Sequence, residues 1–392
     1  MQRAFGRLPV SETVMQQAAL DLILVPQTRI EAAPSDPCES TGFDIGWDHA
    51  HHGLVPPPGL LLAGTPVCQG WMAGKAVFGR RVLTATRTVR MWLQLRTLAW
   101  RQGVAFDSQQ VTPNHLAQIH SALCPVLRQP LGGAPGDALA AVVQRLNPLA
   151  AYAAGNLATL SRRAAQALLS VDVAQAVRNA RRAERRPGVA DDLLDGMDSA
   201  AWWRLATLRS FVTPLPFFDA ACLPLAVLPP NRVRVLNVAQ GLQALVTLQF
   251  VTPGWSQRAR ALAAMLPAHT LRHDFNLFIG ALAPRVLEAE HNAQAVRRAL
   301  EDAWLQERVQ RRWQHFVLSL GEAASETLLQ RAAAAGLAGV RTQCLPTEAA
   351  TEGWALATAG RVAASPSAQP GMVLPAPAAR TAARPARMAS LS

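Results

Sequence analysis

Two short runs of this sequence hold residue types whose spacing could do chemistry. The first, GWDHAHHG at 46–53, groups Asp48, His49 and His51. Carboxylate and imidazole are ligands for divalent transition metals, and a metal so held could activate water for hydrolysis. An HxH pair on a strand would put both rings on one side. The fuller hydrolase pattern needs an acid after the second histidine, whereas here His52 and Gly53 follow. His273-Asp274 is the nearest thing to a second cluster. The run is therefore expected to be a polar, partly buried loop, and Asp48, His49 and His51 are the metal candidates of a minor, hydrolase reading. The second run is VQRLNPLAAYAAGNLATLS at 143–161, which holds the only tyrosine of the chain, Tyr152. An Asn beside a Gly suits a corner, where its side chain bonds neighbouring backbone groups. The run is either an interrupted helix or a strand–turn–helix site. No GxSxG elbow, phosphate-cradling GxxxxGK[ST] or GxGxxG occurs elsewhere.

The elements that must position these runs are mostly helical. An amphipathic helix is expected over about 10–24, followed by the linker EAAPSDP, and then a stretch at 40–78 rich in Gly, Pro and turns. Residues 79–103 have Val82, Val89, Leu93 and Trp100 at helical spacing, with Arg87, Arg90 and Arg101 on another face. Thr112-Pro113 opens a short helix, and a turn follows at Cys124-Pro125. Beyond Ser161 a helix dense in arginine runs to Pro187-Gly188. Ser199 can cap the helix AAWWRLATLRSF, and the proline-broken segment TPLPFFDAACLPLAVLPP is expected to be extended. A buried helix from Asn231 and four more helices between Ser256 and Ala335 complete the pattern. The low-complexity tail from about Thr347 is expected to be disordered. The expected fold is mainly α, with one small α+β module. The expected divisions are 1–78, 79–188, 189–345 and a tail at 346–392.

The run from Cys124 to Ser161 resembles HNH-type (ββα-metal) nuclease domains. Their phage-like variants read C-P-V-T-G-x-P-L, where this chain has CPVLRQPL at 124–131. They continue D-R-I-D-P-x-x-G-Y-x-x-G-N-V-x-x-x-S, then R-A-N-x-x-K. Here Gln144-Arg145-Leu146-Asn147-Pro148, Tyr152, Gly155-Asn156 and Ser161 fall in the same register, followed by Arg163-Ala164-Ala165. The resemblance covers about 110–170, roughly a sixth of the chain. It implies a hairpin whose second strand carries an acidic ligand and a general base, a Gly-Asn corner, and a helix returning to a metal. In active nucleases that strand reads D/E-H. This chain departs at each chemical position: the acid is Gln144, the base is the permanently charged Arg145, the helical Asn is Ala165, and the following lysine is missing. What survives is the frame: Cys124, Pro148, Tyr152, Gly155, Asn156 and Ser161. The chain as a whole is also similar to bacterial proteins, which adds no function.

The resemblance implies a frame without catalysis that could still grip DNA or RNA. Its phosphate contacts would be Arg145, Arg162, Arg163, Arg178, Arg181, Arg182, Arg185 and Arg186. The net charge of +12 agrees with a polyanionic partner. A single lysine among so many arginines also has the look of a GC-rich coding sequence. The alternative is an adaptor whose helical half docks a protein partner through Trp202-Trp203, Trp304 and Trp313. Five scattered cysteines without a CxxC pair indicate neither a disulfide framework nor a zinc ribbon. No cofactor is expected. With no run of about 20 apolar residues and no leader-like start, the expectation is a cytoplasmic protein off the membrane.

Overall fold

In a computed structural model, the residues described are 37–134, 136–185, 196–288, 292–337 and 347–362. The helix expected at 10–24, Arg186 and the chain beyond residue 362 lie outside them. The described residues belong to one compact unit. They form fifteen α-helices and one two-stranded sheet. In chain order these are α1 Pro37–His51, α2 Pro66–Phe78, α3 Arg87–Arg101, α4 Pro113–Ile119, β1 Ala141–Arg145, β2 Leu157–Ser161, α5 Arg162–Ser170, α6 Val173–Glu184 and α7 Ser199–Phe211. There follow α8 Phe217–Cys222, α9 Val238–Gln249, α10 Trp255–Ala264, α11 His269–Glu288, α12 Ala293–Ala303, α13 Glu307–Leu320, α14 Glu322–Ala334 and α15 Thr347–Ala350. None is long and apolar enough to cross a membrane.

The Gly- and Pro-rich stretch expected as turns contains α1 and α2, a closely packed helical pair. Its glycines act as spacers. A Cβ at Gly46 would overlap the Val67 carbonyl, and one at Gly70 the carbonyl of Phe43. Side-chain caps explain two further boundaries. Thr86 Oγ1 accepts from Val89 N at 3.2 Å, so α3 starts at Arg87 rather than near Gly79. Asp172 accepts from Gln175 N at 2.6 Å and splits the expected arginine helix into α5 and α6. Asp198, rather than Ser199, caps α7, accepting from Ala201 N at 2.7 Å. The proline-broken segment after α7 is extended only in part, since Phe217–Cys222 is helical.

β1 and β2 pair antiparallel with Ala141 opposite Ser161 and Arg145 opposite Leu157. The 143–161 run is thus a hairpin that leads directly into α5. Strand alternation sends Val143 and Leu157 to a small core with Tyr152, Leu116 and Ala99. Ala158 and Leu160 go to a large core shared with Ala164, Ala165 and Leu168 of α5. That large core runs on through Trp202, Leu245, Phe278, Trp304 and Trp313 to Trp354. That core thus has members on both sides of residue 188, where a division was expected. The start of the expected tail is also packed: Trp354 is fully buried, Ala151 N donates to its carbonyl at 2.7 Å, and its Nε1 donates to Ala154 O at 3.0 Å.

Candidate nucleic-acid interface around the hairpin and helix

The frame residues form two bonded groups, one around Cys124 and Ser161 and one around Asn156 and the 147–151 loop. The chain at 122–131 is a miniature hairpin: Cys124 N donates to Gln129 O at 2.9 Å, and Arg128 N to Cys124 O at 2.7 Å. Arg128 closes this turn with φ 55°, the left-handed region that favours glycine. The buried Cys124 sulfur accepts from Leu127 N at 3.5 Å and Ser161 N at 3.4 Å, and its S–H donates to Ser161 Oγ at 3.3 Å. Ser161 in turn caps α5, accepting from Ala164 N at 3.3 Å. Asn156 is fully buried and ties the 147–151 loop: its Oδ1 accepts from Asn147 N at 2.8 Å, and its Nδ2 donates to the carbonyls of Asn147 and Ala151 at 3.1 and 3.0 Å. Gly155, at φ 90°, leaves room for the Arg234 side chain. The Gly-Asn corner turns the chain into β2 rather than into a helix. Gln144 and Arg145 end the first strand of the pair, not the second.

The positions that would carry chemistry hold none. Gln144 Nε2 donates to the Arg145 carbonyl at 3.2 Å. Arg145 is 9% exposed, and its Nη1 donates to the carbonyls of Pro148 at 2.9 Å and Ala150 at 2.7 Å. Its guanidinium lies 4.9 Å from the centroid of the Tyr152 ring. Burial raises the Tyr152 phenol above its ordinary pKa, and the Arg145 charge offsets that only in part. Ala165 is a buried methyl group in the large core. Gln144, Arg145 and Ala165 together offer no acid, no base and no anionic metal ligand.

The Asp48 cluster lies on α1 rather than in a loop or strand. A helix spaces His49 and His51 about 200° apart, so they cannot present both rings to one ion. His49 is buried with Nδ1 against Ile45 O at 2.7 Å, and burial holds its pKa below the ordinary value. Asp48 forms an ion pair with Arg96 of α3. Burial raises the Asp48 carboxyl despite that partner. Among the described residues no group of three or more His, Cys, Asp or Glu side chains is arranged to hold a metal.

The predicted phosphate contacts divide. Arg178, Arg181, Arg182 and Arg185 are exposed and follow i, i+3, i+4, i+7 spacing, which makes one stripe along α6 and its last turn. The opposite face buries Ala176, Asn179 and Ala180, small residues that let α6 sit close to α7. Among the described residues, the ion pairs lie elsewhere. Arg178 donates to Gln175 Oε1, a neutral acceptor, at 2.7 Å. Of the two acids at the ends of this helix, Asp172 accepts from Gln175 N in the α6 cap and Glu184 accepts from Trp203 Nε1 at 2.6 Å. Arg162 is exposed at the start of α5, and Arg163 is half-buried with Nη1 3.4 Å from Gly196 O. Arg145 is interior and faces no solvent partner.

Other charged residues escaped the sequence reading. Arg128 pairs with Glu301 at 3.0 Å and Asp302 at 2.8 Å, and Arg204 reaches Asp302 at 3.5 Å. Burial alone lowers the Arg128 pKa, but the hydrogen bonds and charges of Asp302 and Glu301 outweigh it and raise the value. This network joins the Cys124 turn to α12, more than 170 residues away in sequence. The one local hint is arginine at the glycine position of CPVLRQPL. Compared with protein-family models, with curated proteins and with solved structures, the chain matches none.

Proposed function

We propose that this is a non-catalytic nucleic-acid-binding protein, in which a degenerate HNH-type module presents an arginine helix to phosphates. The hairpin-then-helix order at 141–170 supports the frame, as do the Asn156 loop bonds and the glycine-like φ at Arg128. Gln144, the interior Arg145 and Ala165 argue against a surviving hydrolytic site. The observation that carries binding is the α6 stripe, four exposed arginines with no carboxylate partner among the described residues. An α-helix rises about 1.5 Å per residue, so Arg178 to Arg185 span about 10 Å, the length of about three phosphates along one strand. A cytoplasmic location belongs to the same proposal, because it puts the stripe where DNA and RNA are found.

The test is affinity for a random-sequence duplex measured over a salt series. Binding at low salt with log K falling linearly in log salt is expected, with a slope of about −0.9 for each phosphate neutralised. Absence of binding at low salt, or binding without a salt slope, rejects the reading. The adaptor alternative loses its anchors, because Trp202, Trp203, Trp304 and Trp313 are all buried in the core.

A further inference from the structure

A cleft of about 370 Å³ opens where the 110–118 segment, Ala154 and residues 232–235 meet. Gln110, Asn114, His115, Gln118, Arg232 and Arg234 line it, and no carboxylate does. Its wall is pinned on both sides of the hairpin corner. Asn231 Nδ2 donates to Gln118 O at 2.5 Å, Val233 N to Pro230 O at 3.1 Å, and Arg234 N to Gly155 O at 3.0 Å. Arg234 is fixed as well: Nη1 donates to Ala350 O at 2.6 Å and Ala349 O at 3.4 Å, and Nη2 to Gln110 Oε1 at 3.2 Å. A guanidinium has five N–H donors, so these three bonds leave two without an acceptor among the described residues. Burial depresses the Arg234 pKa, and the carboxylates of Glu352 and Asp107 act against that shift.

Arg232 stands exposed at the rim, with neither a protein acceptor nor an ion pair among the described residues. His115 is 9% exposed, and its Nε2 is buried without a protein partner. Burial, with Arg232 and Arg234 adding repulsion and Asp107 opposing it, holds the pKa of that ring below its ordinary value and favours the neutral form, which offers one N–H. The cleft therefore combines two permanent positive charges with neutral imidazole and amide donors on a braced backbone. That arrangement suits an anion whose oxygens accept several hydrogen bonds at once, and guanidinium matches phosphate in charge and geometry. We propose that this cleft binds a phosphate group, with Arg234 as its fixed floor and Arg232 as the arm at its mouth. The volume exceeds that of phosphate alone and admits the group attached to it. The phosphate is either the 5′ end of a nucleic-acid strand or the head of a small phosphorylated metabolite. The inference stands apart from the α6 stripe.

The test uses the full chain with three probes: inorganic phosphate, ribose 5-phosphate, and one short oligonucleotide with either a 5′-phosphate or a 5′-hydroxyl. Saturable phosphate binding is expected. Arg232→Ala should weaken it about tenfold or more, Arg232→Lys should restore part of it, and Arg178→Ala should leave it unchanged. Arg232 is exposed, so its variants are expected to melt as the parent does, which separates lost binding from lost folding. Preference for the 5′-phosphorylated strand assigns the site to strand ends. Binding of ribose 5-phosphate without that preference assigns it to metabolites. No saturable binding of any phosphate probe, or binding that Arg232→Ala leaves intact, overturns the proposal. A missing salt slope for duplex binding would leave this outcome untouched.

Discussion

Asn156 shows what one side chain does for the module. It serves two backbone carbonyls and one amide of the 147–151 loop from a fully buried position. Each buried group left unpaired costs about 1–3 kcal/mol. Asn156→Ala should therefore lower the unfolding free energy by about 3 kcal/mol, read from urea denaturation at unchanged m. The histidines set a pH dependence. His49 and His115 are held below their ordinary value of 6.5, chiefly by burial. As pH falls through that value, the unfolded chain takes up protons that the folded chain refuses. Their contribution is complete above about pH 7 and is lost progressively as pH falls toward 5. Melting temperatures across that range should decline, and His49→Gln should make the decline shallower. At this scale the corner residues were legible, because Gly-Asn and Thr-Pro act through bonds to their own neighbours. The role of Arg145 was not. It sits among the arginines in composition, but pairing with Leu157 puts it beside Tyr152 in the interior.

Among the elements, α6 carries the functional proposal. Its alanine face and arginine face follow from the 3.6-residue period alone, so the stripe could be read before any coordinates. The cap at Asp172, which separates α6 from α5, was missed within an apparently continuous helical run. A triple Arg178→Ala, Arg181→Ala, Arg182→Ala variant should flatten the salt slope of duplex binding by up to about 3, because each phosphate left without its arginine removes about 0.9. Its stability should change by no more than about 0.5 kcal/mol, as for exposed positions generally. An unchanged slope in a folded triple variant would remove the stripe from the interface. The pair α1 and α2 teaches the opposite lesson. Gly46, Gly70 and Gly74 look like turn formers, yet each lies where one helix backbone approaches the other. Composition does not distinguish a glycine that bends the chain from one that lets two helices touch.

Across the whole molecule, the hairpin, α5 and the later helices share one apolar core, and residues 347–362 close over the hairpin. Trp354 is central to that closure. Trp354→Ala should cost about 3–5 kcal/mol. Deleting the chain from Thr347 onward should be at least as damaging, since it also removes the carbonyls that hold Arg234. Both are measured by denaturation followed by fluorescence and circular dichroism. In the parent protein the two probes should coincide in a single transition. Separate transitions for the 100–170 region and the later helices would show that they fold as independent units, against the shared core.

The sequence by itself determined the helical character, the hairpin corner, the starts of several helices and the absence of acid and base at 144, 145 and 165. Those depend on residue identity and on bonds reaching a few positions along the chain. Only the tertiary structure decided which arginines of the described residues face solvent, that Trp202, Trp203, Trp304 and Trp313 fill the core, and that described residues before 186 and after 195 share that core. It also brought His115, Arg232 and Arg234 to a common cleft, with Asp107 close enough to act on His115 and Arg234. Burial and convergence are long-range properties: they depend on which faces meet across a hundred residues or more, and no local pattern records that.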